Sequence, residues 1–463
     1  MENDKKQQYS EEEIIRQRYL KTSPFNKINS NIKYTACVGT NGGYNQSTIY
    51  DGFKSAVDTL IKSIGEYKNY SDSLVYPILF CIRHSIELFL KELYSSIQYI
   101  KSVKENRDTF VKLNKARRIK LKISQQRDDC DWIISHSDKN NSDAHTERNK
   151  KRREMLQKRL TTIQGCIDSF SEECFKDSKK EEFTHNLNEL IQKITSIYHI
   201  DIRIKELFDD VLPLLSYYKD IDPNGDAFRY WSDKDRNPHF ETKKISIVKL
   251  DIIAVQFEEM TKLFSRIDWL MWYLKKEYNT GTFTKDLSRA QLEEVSKLLP
   301  LPDEFDEKIK EVKELVKKKY NIGSNKFDYA LKIIRRHREF SSYMCEEKVF
   351  SCLSDDTMKI FAECSLGQRN WEESSSEISI NELNLLFTFS EITGRRCEEK
   401  NYAYFSEDLQ FLYWNMKRKY RIGWHDINPV SEIDYVIKGM KKCGQITYAE
   451  FMEGYILKLK GQS

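Results

Sequence analysis

The sequence predicts an all-α protein. Helix breakers are scarce, with 8 Pro and 16 Gly in 463 residues. Lys, Glu and Leu are abundant, and apolar positions recur at helical spacing. Capping signals punctuate the chain, as at Ser288-Arg289-Ala290-Gln291. A hydrophobic share of 39% is modest, but 26 Tyr and 24 Phe supply bulky core material, which excludes a disordered chain.

Taken in order, Ser10-Glu11-Glu12-Glu13 reads as a capping box that opens a short amphipathic helix. A polar loop follows at 30–49, centred on Gly39-Thr40-Asn41-Gly42-Gly43. It lacks the glycine spacing and Lys-Ser/Thr of a P-loop, so it is no phosphate cradle. Helices are expected at 50–68 and 75–98. Residues 101–182 are strongly polar with a break at Asp138–Asp143, the pattern of an inserted helical hairpin. Apolar periodicity returns at Phe183–Ile197 and Ile202–Tyr218. Asp222-Pro223-Asn224-Gly225-Asp226 is a turn, Lys244–Leu250 a short strand, and a long helix runs to about Lys276. Asn279-Thr280-Gly281-Thr282 marks a boundary between a domain at 1–280 and a second helical domain at 281–463. In the latter, Ser379-Ile380-Asn381-Glu382 and Thr447-Tyr448-Ala449-Glu450 read as capping boxes, and Gly394 and Gly444 as helix stops.

A net charge of +4 is close to balance and says little about partners. Residues 101–160, however, hold 18 Lys/Arg against 9 Asp/Glu, a surplus that suits either phosphates or a solvated hairpin. The ten Cys form no CxxC pair, as expected of free thiols in a reducing cytoplasm. The polar start and the absence of an 18-residue apolar run lead us to expect a cytoplasmic protein without a membrane segment.

The most informative stretch is Tyr76–Lys91. It is apolar around most of a helix, yet carries Arg83, His84, Glu87 and Lys91, with Arg83, Glu87 and Lys91 at four-residue spacing on one face. Buried charges must be paired, so partners are expected from Thr184-His185-Asn186-Leu187 and Phe228-Arg229-Tyr230-Trp231. Glu87 could orient Arg83 or Lys91 toward an anion, with His185 as acid or base and Arg229 clamping a phosphate beside Tyr230. The same row also fits a structural ion-pair network knitting three helices.

A second candidate is Tyr413–His425, where basic residues interleave with aromatics. That suits single-stranded nucleic acid, or equally a buried helix face with snorkelling cations. His239, beside Pro238, is expected in a loop, and His337 at a basic helix end. His136 and His145 are expected in solvent. Pro302-Asp303 with Glu311-Val312-Lys313 outlines a restriction-type metal site, but Asp306–Lys319 is helical in period, and that chemistry needs strand ends. HExxH, paired-Cys metal, GxSxG and dinucleotide signatures are absent, and no metal or cofactor is expected.

Arg-His-x-x-Glu-x-x-x-Lys (Arg83, His84, Glu87, Lys91), then His185-Asn186-Leu187, then Phe228-Arg229-Tyr230, together resemble bacterial helical proteins related to the HEPN superfamily, over residues 35–277. The resemblance implies a helical bundle with an inserted hairpin. It also implies metal-independent RNA cleavage across a dimer interface by an Arg and a His on one helix, in a defence setting, while other members act as binding modules. The sequence departs from the pattern. Within the resembling region no Arg precedes a His by four to six intervening residues, and the one formal match, Arg418 to His425, lies outside it and is broken by Gly423.

The expectation is therefore an effector engaging RNA or a nucleotide, a ribonuclease in phage defence. His185, Arg83 and Arg229 would be catalytic, with His84, Glu87, Lys91, Asn186 and Tyr230 binding or orienting. A defence-system protein and a second copy of the chain are the candidate partners. The alternatives are a non-catalytic interaction protein and a DNA-directed effector.

Overall fold

The computed structural model describes residues 11–21, 36–38, 46–66, 71–136, 143–176, 184–233, 235–394, 404–421 and 429–461. The protein is all-α. Among the described residues the only extended pairing is an isolated bridge between Ser232 and Pro238.

A short α1 (Glu11–Leu20) precedes the first core. That core gathers α2 (Gln46–Glu66), α3 (Ser71–Glu105), α6 (Leu187–Ile197), α7 (Ile202–Ile221) and α9 (Leu250–Asn279) around one apolar cluster running from Val57 to Phe283. The central helix is α3, packed by α2, α6 and α9. Ile78, Ile82, Ile86 and Leu90 recur every four residues and are fully buried, as a helix enclosed on several sides requires. By length and composition α3 could also cross a membrane. Here it is a core helix in which Arg83 and Lys91 both pair with Glu87 inside the protein.

The polar insertion is the expected hairpin, α4 (Arg107–His136) against α5 (Asp143–Cys174). A small cluster of Ile123, Cys130, Leu156 and Leu160 holds it, and Asn106 Nδ2 donates to the Cys174 carbonyl at 2.9 Å at its base.

Beyond the one-turn α8 (His239–Thr242) and α9, the clustered buried apolar residues of the second half fall into two groups. The first belongs to α10 (Arg289–Leu298), α11 (Phe305–Tyr320), α12 (Ser324–Arg336) and α13 (Arg338–Ser342). The second belongs to α14 (Asp355–Ser365), α15 (Trp371–Ser374), α16 (Ile380–Thr393), α17 (Leu409–Arg421), α18 (Pro429–Lys442) and α19 (Ile446–Gly461).

Several local expectations are corrected. Residues 245–249 form no strand: Lys244 takes a left-handed φ of 55°, Ile247 is 78% exposed, and no neighbouring strand offers a ladder. The capping box at Ser288 is present in both directions. The one read at Thr447 is not, because α19 already begins at Ile446; Thr447 instead gives its backbone N–H and hydroxyl to Glu347. Gly444 carries the left-handed φ of a helix stop, 66°, whereas Gly394 does not. Ser10, the 39–43 loop, and the break at 138–142 lie outside the described residues.

Candidate functional site

The polar row of α3 is assembled as its spacing predicts. Arg83 Nη1 donates to Glu87 Oε2 at 2.9 Å, and Lys91 Nζ donates to Glu87 Oε1 at 2.6 Å. The loop before α6 brings His185 against the same carboxylate, with Nδ1 2.8 Å from Oε1. Burial pushes the Glu87 carboxyl up, but the hydrogen bonds from Lys91, Arg83 and His185 outweigh it and hold the group at about 2.

An ionised Glu87 only accepts, so His185 must present Nδ1–H to it, leaving the Nε2 lone pair outward. The 3.4 Å approach of Lys91 Nζ to His185 Nδ1 is then two donors side by side on one oxygen. The His185 side chain is 76% exposed while that of Glu87 is only 6% exposed. A surface imidazole thus stands on a buried carboxylate.

Arg83 is held differently from the sequence expectation. It is 2% exposed. Besides Glu87 it donates from Nε to the Asp222 carbonyl at 2.9 Å, and from Nη2 to the carbonyls of His185 at 2.7 Å and Pro223 at 3.1 Å. Its guanidinium is enclosed by four protein acceptors and acts on the His185 loop rather than on an outside anion.

The acceptors reveal a part that sequence reasoning missed. Asp222 is buried, and its Oδ1 takes the backbone N–H groups of Gly225, Asp226 and Ala227 at 2.8–3.1 Å. That folds the turn so that its carbonyls face Arg83. Gly225 has φ of 87°, and a Cβ there would meet Arg83 Nη2 at 3.5 Å. The Asp-Pro-Asn-Gly-Asp motif signals the turn, but nothing in side-chain identity announces that its backbone oxygens are ligands. The Pro223 carbonyl also accepts from Leu187 N at 2.9 Å, tying the turn to the start of α6.

The remaining predicted residues divide. Arg229 is exposed, and its guanidinium lies over Phe80 at 5.5 Å and Tyr230 at 5.9 Å. Tyr230 is 56% exposed. His84 is turned away from the carboxylate. It stacks on Phe80, centroids 5.8 Å apart, and meets Phe53 edge-on at 4.5 Å. Burial lowers its pKa, helped by Arg83, Arg229 and Lys91 and opposed by Glu87. Asn186 caps α6 by accepting from Glu189 N, and donates to Asn224 at 2.7 Å. For the second pair, Arg418 lies on α17 with its side chain outside the described residues, and His425 is outside them altogether.

His239 heads α8 rather than a loop, and His136 stacks on Trp132 at 4.7 Å. The side chain of His145 is outside the described residues. His337 closes the basic last turn of α12, behind Arg335 and Arg336, and it also starts the next helix. Its Nδ1 caps α13 by accepting from Phe340 N at 3.3 Å, which places the proton on Nε2, 3.1 Å from Glu407. His337, Glu339 and Glu407 are close enough for a metal. Arg289 already fills that centre, bonded to Glu339, to Glu407 at 2.9 Å and to Ser406 at 3.2 Å. A metal would have to displace a guanidinium and undo the helix cap.

No family model, curated protein or solved structure matches this chain. The resemblance rests on the short motifs.

Proposed function

We propose that the protein is a cytoplasmic, HEPN-like bacterial effector that engages RNA and cleaves it without a metal, in phage defence, as a homodimer or with a defence-system partner. One observation carries the reading: the exposed His185 ring, oriented through Nδ1 by the buried Glu87 carboxylate. A carboxylate behind an imidazole fixes its tautomer and the direction of its ring, which general acid–base catalysis needs. In the proposed reaction His185 Nε2 takes the proton of an RNA 2′-hydroxyl as that oxygen attacks the adjacent phosphorus. The P–O5′ bond breaks, the 5′-oxygen takes up a proton, and a 2′,3′-cyclic phosphate remains. Arg229, with its face on Phe80 and its edge in solvent, steadies the anionic phosphate. Arg83 is a positioning residue, holding the His185 carbonyl and Glu87 together, with Lys91 completing the carboxylate's shell.

The test is cleavage of single-stranded RNA in EDTA. Activity should fall at least about 100-fold in His185→Ala and Arg229→Ala, with melting unchanged. Cleavage that survives both substitutions removes the assignment.

The enclosure of Arg83 by protein acceptors favours a second reading, a non-catalytic interaction protein whose row is architectural. Under it, wild-type protein leaves RNA intact while Glu87→Ala melts early.

A further inference from the structure

The hairpin and the C-terminal helices meet at a cavity of about 630 Å³, lined by Trp132 and Asp129 of α4, Asn149 and Arg152 of α5, and Trp414 and Lys417 of α17. It shares no residue with the Glu87 site. We propose that this cavity binds a nucleotide, with its base stacked on an indole wall and its phosphate held by Arg152 and Lys417.

Three features point to that ligand. The first is surplus aromatic surface. Trp132 is 61% exposed and, among the described residues, stacks on His136 alone, so its ring does little for the packing of the hairpin. Trp414, half-buried, lies 6.2 Å from Phe411 and carries Lys122 over its face at 5.7 Å. The second is cations not spent on carboxylates. Arg152 is exposed, and Lys417 rests on the Tyr413 ring at 4.7 Å; neither makes an ion pair among the described residues. The neighbouring Arg127 and Arg153, by contrast, are bound to Asp128 and Asp131. The third is the basic surplus of residues 101–160, the segment that supplies Arg152 and the hairpin side of the cavity, set against the carboxylates of Asp128 and Asp129 in the same lining. Flat aromatic walls with unpaired cations select a flat, anionic ligand, and the volume suits one of nucleotide size. The two halves of the cavity are held in register by Arg118 of the hairpin, 3.6 Å from Asp408 at the head of α17. The same chemistry is offered by a free nucleotide and by one residue of a single-stranded RNA.

Full-length protein titrated in EDTA with AMP, by calorimetry, and with a short fluorescein-labelled oligoadenylate, by anisotropy, separates the two sources. Equal affinity for both indicates a free nucleotide, and a marked preference for the oligomer indicates an RNA segment. In either case Trp132→Ala and Arg152→Glu each weaken binding about tenfold or more, and Trp132→Phe restores it. Both side chains are exposed, so their loss leaves melting unchanged, which calorimetric scans verify. His185→Ala, which removes cleavage under the proposed function, leaves AMP affinity as it was, so the two claims fail separately. Binding of neither probe, or binding undiminished by both Trp132→Ala and Arg152→Glu, overturns the site.

Discussion

Glu87 Oε1 lies 2.8 Å from His185 Nδ1, although one side chain is sealed in the first core and the other stands in solvent. The contact spans the whole polar hairpin in sequence. It exists because Arg83 grips both the Glu87 carboxylate and the His185 carbonyl. Energetically the carboxylate is the keystone: without it a buried guanidinium and a half-buried ammonium face each other unpaired.

Glu87→Gln should therefore destabilise the first core by about 3 kcal/mol, the order of loss when one partner of a buried pair is removed. The wild-type carboxyl titrates at about 2 against an ordinary 4.5. Its contribution is thus complete above pH 4.5 and is lost as pH falls toward 2. Thermal melts from neutral to acid pH should show that loss in wild type and its absence in the variant. Equal melting of the two proteins at pH 7 would show that the row supports nothing.

His84→Phe should be tolerated. The ring is packed between Phe80 and Phe53, and burial favours its neutral form. A residue whose pKa is lowered in the fold costs stability as pH drops below the ordinary 6.5, because the unfolded chain takes up the proton more readily. The Phe variant should match wild type at pH 8 to within about 1 kcal/mol and lose less stability between pH 7 and 5. RNA cleavage should be retained. A variant that folds but is inactive would place His84 in the chemistry.

How much of this was legible depended on where the information sits. The α3 row could be read because i, i+4 spacing is a property of side chains, and His185 and Arg83 do meet. The ligands of Arg83 are mostly carbonyl oxygens of His185, Asp222 and Pro223, and every residue type carries a carbonyl. The segment after Lys244 misled because alternation of Ile245 and Ile247 resembles a strand, while a strand exists only where a partner offers its backbone. The run of cations at His337 does mark the end of α12, but its cap on α13 and its place beside Glu407 come from tertiary packing, which the run does not encode.

Arg289→Met should be costly for the same reason as Glu87→Gln, and here too the deficit should shrink toward acid pH. Arg289 is buried between the rings of Phe340 and Phe405, centroids 5.0 and 4.9 Å away, and ties Glu339 to Glu407 across the two C-terminal clusters. Burial alone would raise the Glu407 carboxyl, but Arg289 and His337 drive it well below the ordinary range. Removing the guanidinium leaves two adjacent buried carboxylates, and a loss of about 3–5 kcal/mol is expected at neutral pH. Protonation relieves that repulsion. Chemical denaturation should therefore show the variant recovering part of its deficit between pH 7 and 5, where wild type gains nothing. A deficit independent of pH would mean that packing, rather than charge, is what Arg289 supplies.

The last prediction concerns the packing of the cluster formed by α14 to α19. Helix α16 is buried nearly all round, with Leu385, Leu386, Phe387 and Phe389 inside, so a neighbour can cover it only by lying close. α18 does so at Gly439, where a Cβ would fall 2.0 Å from the Phe389 carbonyl oxygen and 2.6 Å from its carbon. Both atoms are backbone, so no side-chain rotation can relieve the overlap. One helix must move, opening the contact that also buries Val436 and Met440. Gly439→Ala raises intrinsic helix propensity by roughly 1 kcal/mol, so any loss is set against that gain. The net effect should still be a destabilisation of about 2 kcal/mol or more. It should be confined to the C-terminal region in hydrogen exchange, with amides of α16 and α18 losing protection while those of α3 keep theirs. Gly454→Ala, on α19 with open space around the added carbon, is the control and should leave exchange unchanged. An alanine at 439 as stable as wild type would show that the two helices do not approach as closely as Phe389 and Gly439 require.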